Sequence, residues 1–598
     1  FALEGRRVGA IYNRAELDTL LARGVAPDDP IGHGTHVASI AGGSGGLDAR
    51  YVGVAPGASL VLVRASLARE RASIPEATVV AGTDFIFDRA EAMRSPAVVT
   101  LSVGTHLGAH DGDSTLERAL ASFERPGRAI VVSAGNDGQR PLHARAYTLP
   151  GSVTELPFRA APSPADGPGD VVGIAAAFTT GVSLAVRTSD GHETPWVAPG
   201  EANAWPHPDA TDALVSLASA TDGASPTTGV RGAVIVLASG GATRSPRRGG
   251  TYALLARGGG RVDAWFFQSG DARTADDAPR FLPPYGDTDV TVTLPATSPS
   301  VIAVGAVTTR TRWSARDGSL VTNPDAREGT VAPWSSRGPD FLGRLKPDLV
   351  APGDVVIAAL SSRALFSDAR LVQPDRAHLA ASGTSAAAPH VAGSIALLME
   401  EFPSLTRREA LSALAAEIPA ADLFAAGWGS LRVDRALAVL RHASPERAAP
   451  TRSSCVLART TLAVDESIEI PCRVADTAGM PTYATVTLMA SAGVAERART
   501  EGRGRYVLRY TARDLRGGDH VRLTPAIDEN PLTPWALTIA RDPRVGNAYE
   551  LAGGCRVNPP SRAPWWLGII ALARRSTRRS RWGSRGHPGR SSRRRARG

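Results

Sequence analysis

Two segments hold residues that could do chemistry together. IGHGTHVASIAGG (31–43) sets His33 between two glycines at the head of an apolar, helix-like run. An imidazole there can take and return a proton near neutral pH. As a general base it needs a nucleophile to deprotonate and a carboxylate to orient it. The nucleophile candidate is in ASGTSAAAPHVAGSIALLMEEFP (381–403), where Gly383 and Thr384 form a turn, Ser385 follows and a strongly apolar helix begins. A serine at a helix N-terminus lies among backbone N–H groups that can receive a developing oxyanion. The small residues at 386–388 let helix and substrate approach closely. Taken alone, Gly-Thr-Ser reads first as an N-capping serine on a buried helix; the company it keeps changes that.

The elements around these groups set the fold class. Residues 1–150 alternate short apolar runs with helical patterns. SLVLVRA, AVVTLSVG and RAIVVSAGN read as buried strands, and STLERALASFE (114–124) as a helix opened by a capping box of Ser114 and Glu117. Apolar strands alternating with helices predict an α/β fold, a parallel sheet covered by helices on both faces. From about 151 to 297, Pro, Gly, Asp, Ser and Thr are frequent and short strands recur, VTVTLP (290–295) among them, which predicts an inserted β-sandwich. The α/β pattern resumes at SVIAVGAV (300–307) and runs to about 440. A C-terminal β domain of about 90 residues follows, patterned like an immunoglobulin sandwich. The expected division is 1–155 and 298–440 for the α/β part, 156–297 for the insert, 441–454 for a linker, 455–543 for the C-terminal domain and 544–598 for a tail.

Here the sequence resembles the subtilisin-like serine proteases. Their His motif, G-H-G-T-H-V-A, stands at 32–38, and their Ser motif, G-T-S-x-A-x-P-H-V-A-G, at 383–393. Between them, in the family's order, come L-S-V-G (101–104), A-G-N (134–136), V-I-A-V-G-A (301–306), S-S-R-G-P (335–339) and K-P-D-L-V-A-P-G (346–353). Gly427-Trp428-Gly429 resembles the closing segment. The resemblance implies an endopeptidase acting on protein or peptide substrates through an acyl-enzyme on Ser385, with His33 as general base. It makes Asn136 the oxyanion donor beside the Ser385 backbone N–H; a plain turn residue is the alternative. Removing such a donor costs about 10²–10³ in rate, a scale that comes from subtilisin itself. Ser102, Val103 and Gly104 match the strand that pairs with extended substrate, and Ser133, Ala134 and Gly135 a second wall beside the specificity pocket. His36 and His390 match structural positions. Ala386 stands where the family often has an oxidisable Met, so tolerance to peroxide is expected.

The third catalytic group is harder to place. The family's chain order is Asp, His, Ser, with the Asp on an early strand before D-T/S-G. No such segment precedes His33; Asp18 sits in a helix-like pattern, and Asp28 and Asp29 in the loop before the His motif. VGAIYNRAELDTLLARG (8–24), GTHLGAHDGDSTLERAL (104–120) and the inserted sandwich resemble the Csp-like bacterial group, which carries a long segment between Asp and His. The expectation is a catalytic Asp upstream of Phe1, its strand leaving sheet edge or core surface exposed here. Loss of that carboxylate costs about 10⁴ in rate. An inactive relative that binds through its β-sandwiches is the rival reading.

The formal charge of +9 does not point to nucleic acid. Residues 574–597 carry 11 Arg and no acid, and removing them takes +9 to −2. Cys455 and Cys472 lie 17 apart in one β-rich segment; they pair in an oxidising compartment or stay as buried thiols. Cys555, with a short apolar stretch and an Arg cluster after it, resembles myxobacterial C-terminal sorting signals, with a solvated basic tail as the alternative. A secreted or surface-anchored bacterial protein is expected. No cofactor is expected and no metal spacing occurs; structural calcium is common in the family, but no dedicated acidic loop for it is present.

Overall fold

The computed structural model describes residues 10–25, 29–65, 74–162, 171–179, 181–205, 214–238, 249–269, 278–364, 368–415, 422–442 and 447–540, with the short strands Ala2–Leu3 and Arg6–Arg7. The expected sorting signal, Cys555 and the Arg-rich tail lie outside the described residues.

Four strands, Leu349–Asp354, Ile302–Thr308, Arg128–Ser133 and Ala97–Leu101, lie side by side in that order, and every pairing is parallel. Their sequences are apolar at nearly every position because both faces are covered. Val131, Ile302, Val304 and Ala351 face one layer and pack on Ala387, Val391 and Ile395 of the helix Thr384–Glu401. Ile130, Val132, Val301 and Ala303 face the other and pack on Val79 and Phe87 of the helix Glu76–Ala92 and on Leu116 and Leu120 of the helix Thr115–Ala121. The expected Ser114–Glu117 capping box is formed, with Ser114 Oγ accepting from the Glu117 N–H at 3.2 Å and Glu117 Oε2 accepting from the Ser114 N–H at 3.0 Å. This doubly covered parallel sheet is the predicted α/β architecture.

The inserted region is a sandwich of a seven-stranded and a four-stranded sheet, antiparallel throughout, around one core that includes Phe158, Phe178, Tyr252 and Trp265. The strand His143–Thr148 already belongs to the larger sheet, through its pairing with Gly260–Ser269. VTVTLP forms no strand of this sandwich, against expectation. It runs as an extended connection back to the parallel sheet, with Leu294 and Thr105 exchanging both backbone hydrogen bonds.

Beyond residue 447 a second sandwich packs two sheets, each of five strands, around Ile470, Leu508, Tyr510, Leu523 and Leu537. Cys455 and Cys472 are cross-strand partners and form a disulfide. Part of the segment expected as linker is pinned to this sandwich, the Ala449 N–H donating to Ala475 O at 2.8 Å. Buried polar contacts tie the sandwich to the rest. Arg145 of the insert reaches both Asp263 and Glu466 at 3.0 Å, and the Leu345 N–H donates to Glu469 Oε2 at 3.0 Å. Among the described residues no helix is long and apolar enough to cross a membrane.

The N-terminal stretch is packed differently. Ten of the nineteen exposed large apolar side chains among the described residues fall between Ile11 and Leu62. The helix Arg14–Ala22 buries no residue. SLVLVRA, expected as a strand, is extended but joins no ladder. Leu60 and Leu62 stay 50% and 71% exposed, while Val63 packs on the helix Glu76–Ala92 at Gly82, where an added Cβ would lie 3.0 Å from Val63 Cγ1. A β-prone segment becomes a strand only when a neighbour accepts its N–H and C=O groups. The sheet edge Ala97–Leu101 pairs with Arg128–Ser133 alone among the described residues.

Candidate active site

The helix Thr384–Glu401 starts directly after Gly383, whose backbone is extended, so Ser385 falls in the first turn. N–H groups in a first helical turn have no partner within the helix. Thr384 spends its own on Asn136, donating N–H to Oδ1 at 2.9 Å and Oγ1–H to the same oxygen at 3.0 Å. Thr384 Oγ1 also accepts from the Gly135 N–H at 3.1 Å. With Oδ1 held twice, the Asn136 amide turns its NH₂ group away from Thr384. An ideal Cβ on Gly383 would sit 3.6 Å from Asn136 Nδ2 and 3.7 Å from the Ser385 nitrogen. Two donor nitrogens thus lie close to one point, and neither has a hydrogen-bond partner among the described residues. The glycine leaves that point open.

The walls expected to hold substrate meet around this point. Ser102, Val103 and Gly104 leave the C-terminal end of the strand Ala97–Leu101, and Ser102 Oγ donates to the Ser385 carbonyl at 3.0 Å. Ser133 ends the neighbouring strand, and Ala134, Gly135 and Asn136 turn out of it. Gly135 has φ 110°, and a Cβ there would lie 2.7 Å from Ser336 Oγ and 2.8 Å from Thr293 Cγ2. Thr293 joins both walls. Its N–H donates to Ala134 O at 2.9 Å, and its Oγ1 lies 2.3 Å from where a Gly104 Cβ would stand. Thr293, Ser336 and Thr384 were not among the site residues expected from sequence. The only signal for Thr293 was the VTVTLP run, whose alternation reads as a strand.

His33 opens the helix His33–Gly42. Gly32 before it has φ 78°, and a Cβ there would lie 3.0 Å from Ala364 Cβ, so the glycine is required. Gly32 has no side chain to cap the helix, and Asp29 does so instead. Asp29 Oδ1 accepts the Gly32 N–H at 2.9 Å, and Oδ2 accepts the Thr35 N–H at 3.0 Å and its hydroxyl at 2.7 Å. Burial raises the Asp29 carboxyl, but these hydrogen bonds outweigh it and hold the group below its ordinary range. The surrounding protein disfavours the imidazolium and lowers His33 from its ordinary 6.5, with Asp29 opposing in part. Neither the His33 ring nor Ser385 Oγ has a hydrogen-bond partner among the described residues, and no carboxylate bonds the ring. Asp18 is exposed and faces Arg14 at 3.9 Å; Asp28 lies outside the described residues.

The other two motif histidines are structural, as expected. His36 is buried, with Nε2 3.2 Å from Leu379 O, and His390 Nδ1 is 2.8 Å from Ala386 O in its own helix. The two motif helices pack through small residues: a Cβ on Gly393 would lie 2.9 Å from Ala41 O. Ala386 is buried against Ile40, Val356 and Ala358.

The sheet and its helices thus place Ser385 in the first turn of one helix beside Asn136, and His33 at the head of a second helix packed on the first. The family pattern described as subtilase family, Peptidase S8, matches residues 23–239 and 267–429, more than half of the sequence. The chain belongs to the subtilase family of serine proteases. It is 37% identical to the serine protease AprX of Bacillus subtilis over 127 residues, 21% of this chain and 26% of that protein. It is 28% identical to the subtilisin-like protease SBT1.4 of Arabidopsis thaliana over 416 residues, 65% of this chain and 47% of that protein. The chain spans half or less of the length of the curated relatives it matches. Among solved structures it resembles the Clostridium perfringens CspB protease, with a TM-score of 0.57 and 23% identity over 73% of this chain and 88% of that one.

Proposed function

We propose that this chain forms the body of a secreted serine endopeptidase. Ser385 Oγ attacks the scissile carbonyl, His33 takes the hydroxyl proton and returns it to the leaving amine, and the acyl-enzyme is then hydrolysed. Asn136 Nδ2 and the Ser385 N–H receive the oxyanion. Extended substrate lies between Ser102–Gly104 and Ser133–Gly135, adding a strand to those edges. The observation that carries this reading is that two donor nitrogens, unpartnered among the described residues, lie close to the open point beside Gly383. The Cys455–Cys472 disulfide supports export to an oxidising compartment.

The carboxylate partner of His33 comes, in this reading, on a strand outside the described residues. The helix Glu76–Ala92 carries both the sheet edge Ala97–Leu101 and the ladder-less segment 59–65. A strand between these two would supply ladder partners to both and cover Leu60 and Leu62. Asp29 is a poor substitute, because both its oxygens already accept hydrogen bonds from the helix start. That engagement favours the second reading for the chain by itself, a binding protein that keeps the fold without turnover.

A fluorophosphonate probe separates the two, with Ser385→Ala as control. Ser385-dependent labelling that rises sharply when a strand bearing Asp-Thr-Gly or Asp-Ser-Gly is supplied is the expected result. A folded protein that stays unlabelled with that strand present is a binding protein.

A further inference from the structure

A cavity lies where Trp428 and the helices Arg407–Leu414 and Val433–Arg441 meet the C-terminal sandwich. It is a small cleft, open to solvent on one side. Four arginines line it: Arg435, Arg473, Arg503 and Arg505. Arg505 is only 3% exposed, and its Nε, Nη1 and Nη2 all lack a hydrogen-bond partner among the described residues. Its guanidinium lies 4.0 Å from the centroid of the Trp428 ring, which covers one face and leaves every N–H unsatisfied. A buried, protonated guanidinium with no acceptor is among the costliest groups a fold can hold.

Among the described residues no carboxylate bonds the guanidinium. Arg473 stands directly opposite Arg505 in the ladder between Ser467–Arg473 and Arg505–Thr511, and like charges in that position repel. Asp348 Oδ2 already accepts from Lys346 Nζ at 2.7 Å and from the Ala303 N–H at 2.8 Å. Glu501 Oε1 accepts from Arg499 Nε at 2.6 Å. Arg407 is paired with Glu124 at 3.0 Å, and Arg503 donates to the His442 carbonyl. Burial pulls Arg505 down to about 9, with Asp348 and Glu501 opposing in part, so it stays cationic at neutral pH.

We propose that this cavity is an anion site, in which Arg505 receives a small oxyanion of the phosphate or carboxylate class within the field of Arg435, Arg473 and Arg503. The planar guanidinium fork matches two oxygens of such a group. Trp428 and Arg435 belong to the α/β part, and Arg473, Arg503 and Arg505 to the sandwich. A bound oxyanion therefore ties the two together and stabilises the folded chain by mass action.

The test is thermal unfolding and equilibrium dialysis of the 598-residue chain with sodium phosphate, sodium acetate or sodium chloride at matched ionic strength. The expected result is a saturable rise in unfolding midpoint with phosphate or acetate, absent with chloride, and one anion bound with site-like affinity. Phosphate acting without acetate assigns the phosphate class, and acetate acting as well assigns the carboxylate class. The Arg-rich tail attracts anions loosely, and Arg505→Met distinguishes it, since this variant keeps the tail and should bind about tenfold more weakly or less. Arg435→Ala, on the helix surface, serves if Arg505→Met does not fold, and it also weakens binding. No saturable response to either oxyanion, or one that neither substitution alters, overturns the site.

Discussion

The two halves of the candidate active site differ in how completely they are held. On the serine side the backbone and the Asn136 amide oxygen are held. Thr384 fixes Asn136, Thr293 and Ser336 fix the turn around Gly135, and Ser102 bonds the Ser385 carbonyl. On the histidine side the helix start is capped by Asp29, but the ring itself has no hydrogen-bond partner among the described residues, and the surrounding stretch exposes Ile31, Leu60 and Leu62. In the proposed mechanism the oxyanion site is a local product of one turn meeting one helix, whereas the base depends on a carboxylate that bonds it nowhere among the described residues. Preorganised donors cost nothing at the moment of reaction. An imidazole without its carboxylate lacks both orientation and a partner for its charged form.

The comparison can be broken or sharpened by experiment, the largest effect first. With the carboxylate-bearing strand supplied, peptide hydrolysis should rise by about 10⁴ over the bare chain, and Ser385→Ala should then remove about 10⁶ in kcat. Equal activity with and without the strand would place a working carboxylate inside the present sequence, and Asp29→Asn and Asp18→Asn would identify it. On the serine side, Asn136→Ala should lower kcat by about 10²–10³ with little change in KM. Thr384→Val, which removes one of the two bonds to Oδ1, should cost about tenfold through misplacement of the amide. A Thr384→Val enzyme at full rate would mean that the amide needs no clamp.

The pH dependence tests the histidine side. His33 is exposed at the surface, yet desolvation by the surrounding protein lowers it from 6.5 against the pull of Asp29, so it is neutral and able to act as a base at pH 7. The labelling rate of Ser385 should therefore fall only on acidification below that value. A carboxylate beside the ring favours the imidazolium and raises its pKa. Supplying the strand should then move the acid limb of the profile to higher pH while raising the plateau. A limb that stays in place or moves down would show that the new carboxylate does not reach the ring. The smallest effect is at the cap. Asp29→Ala frees the Gly32 and Thr35 donors and should lower stability by about 1 kcal/mol, read as a shifted urea midpoint.

Much of this was legible in the chain because it is local. His33 and Ser385 stand out since Gly32 and Gly383 must leave space beside them, and the runs that follow are small and apolar. The doubly apolar strands at 128–133 and 302–308 announce a sheet covered on both faces, and Ser114 with Glu117 announces a helix start. The disulfide was legible only as an open choice, because spacing in sequence does not say which residues face each other across a ladder. SLVLVRA and VTVTLP were misread for one reason: strand propensity describes a pleated, half-buried surface, and whether a ladder partner exists is settled elsewhere in the molecule.

By itself the sequence determined the family, the order of its motifs and the sites of glycine, and it named the candidates for nucleophile, base and oxyanion donor. Each follows from side-chain chemistry and backbone freedom within a few residues. Only the tertiary structure decided that Thr384 orients Asn136, that Thr293 joins the two substrate walls, that Asp29 is occupied as a cap and that Arg505 is buried opposite Arg473. Those facts depend on groups up to about 250 residues apart being brought within hydrogen-bonding distance, and no local propensity encodes that distance.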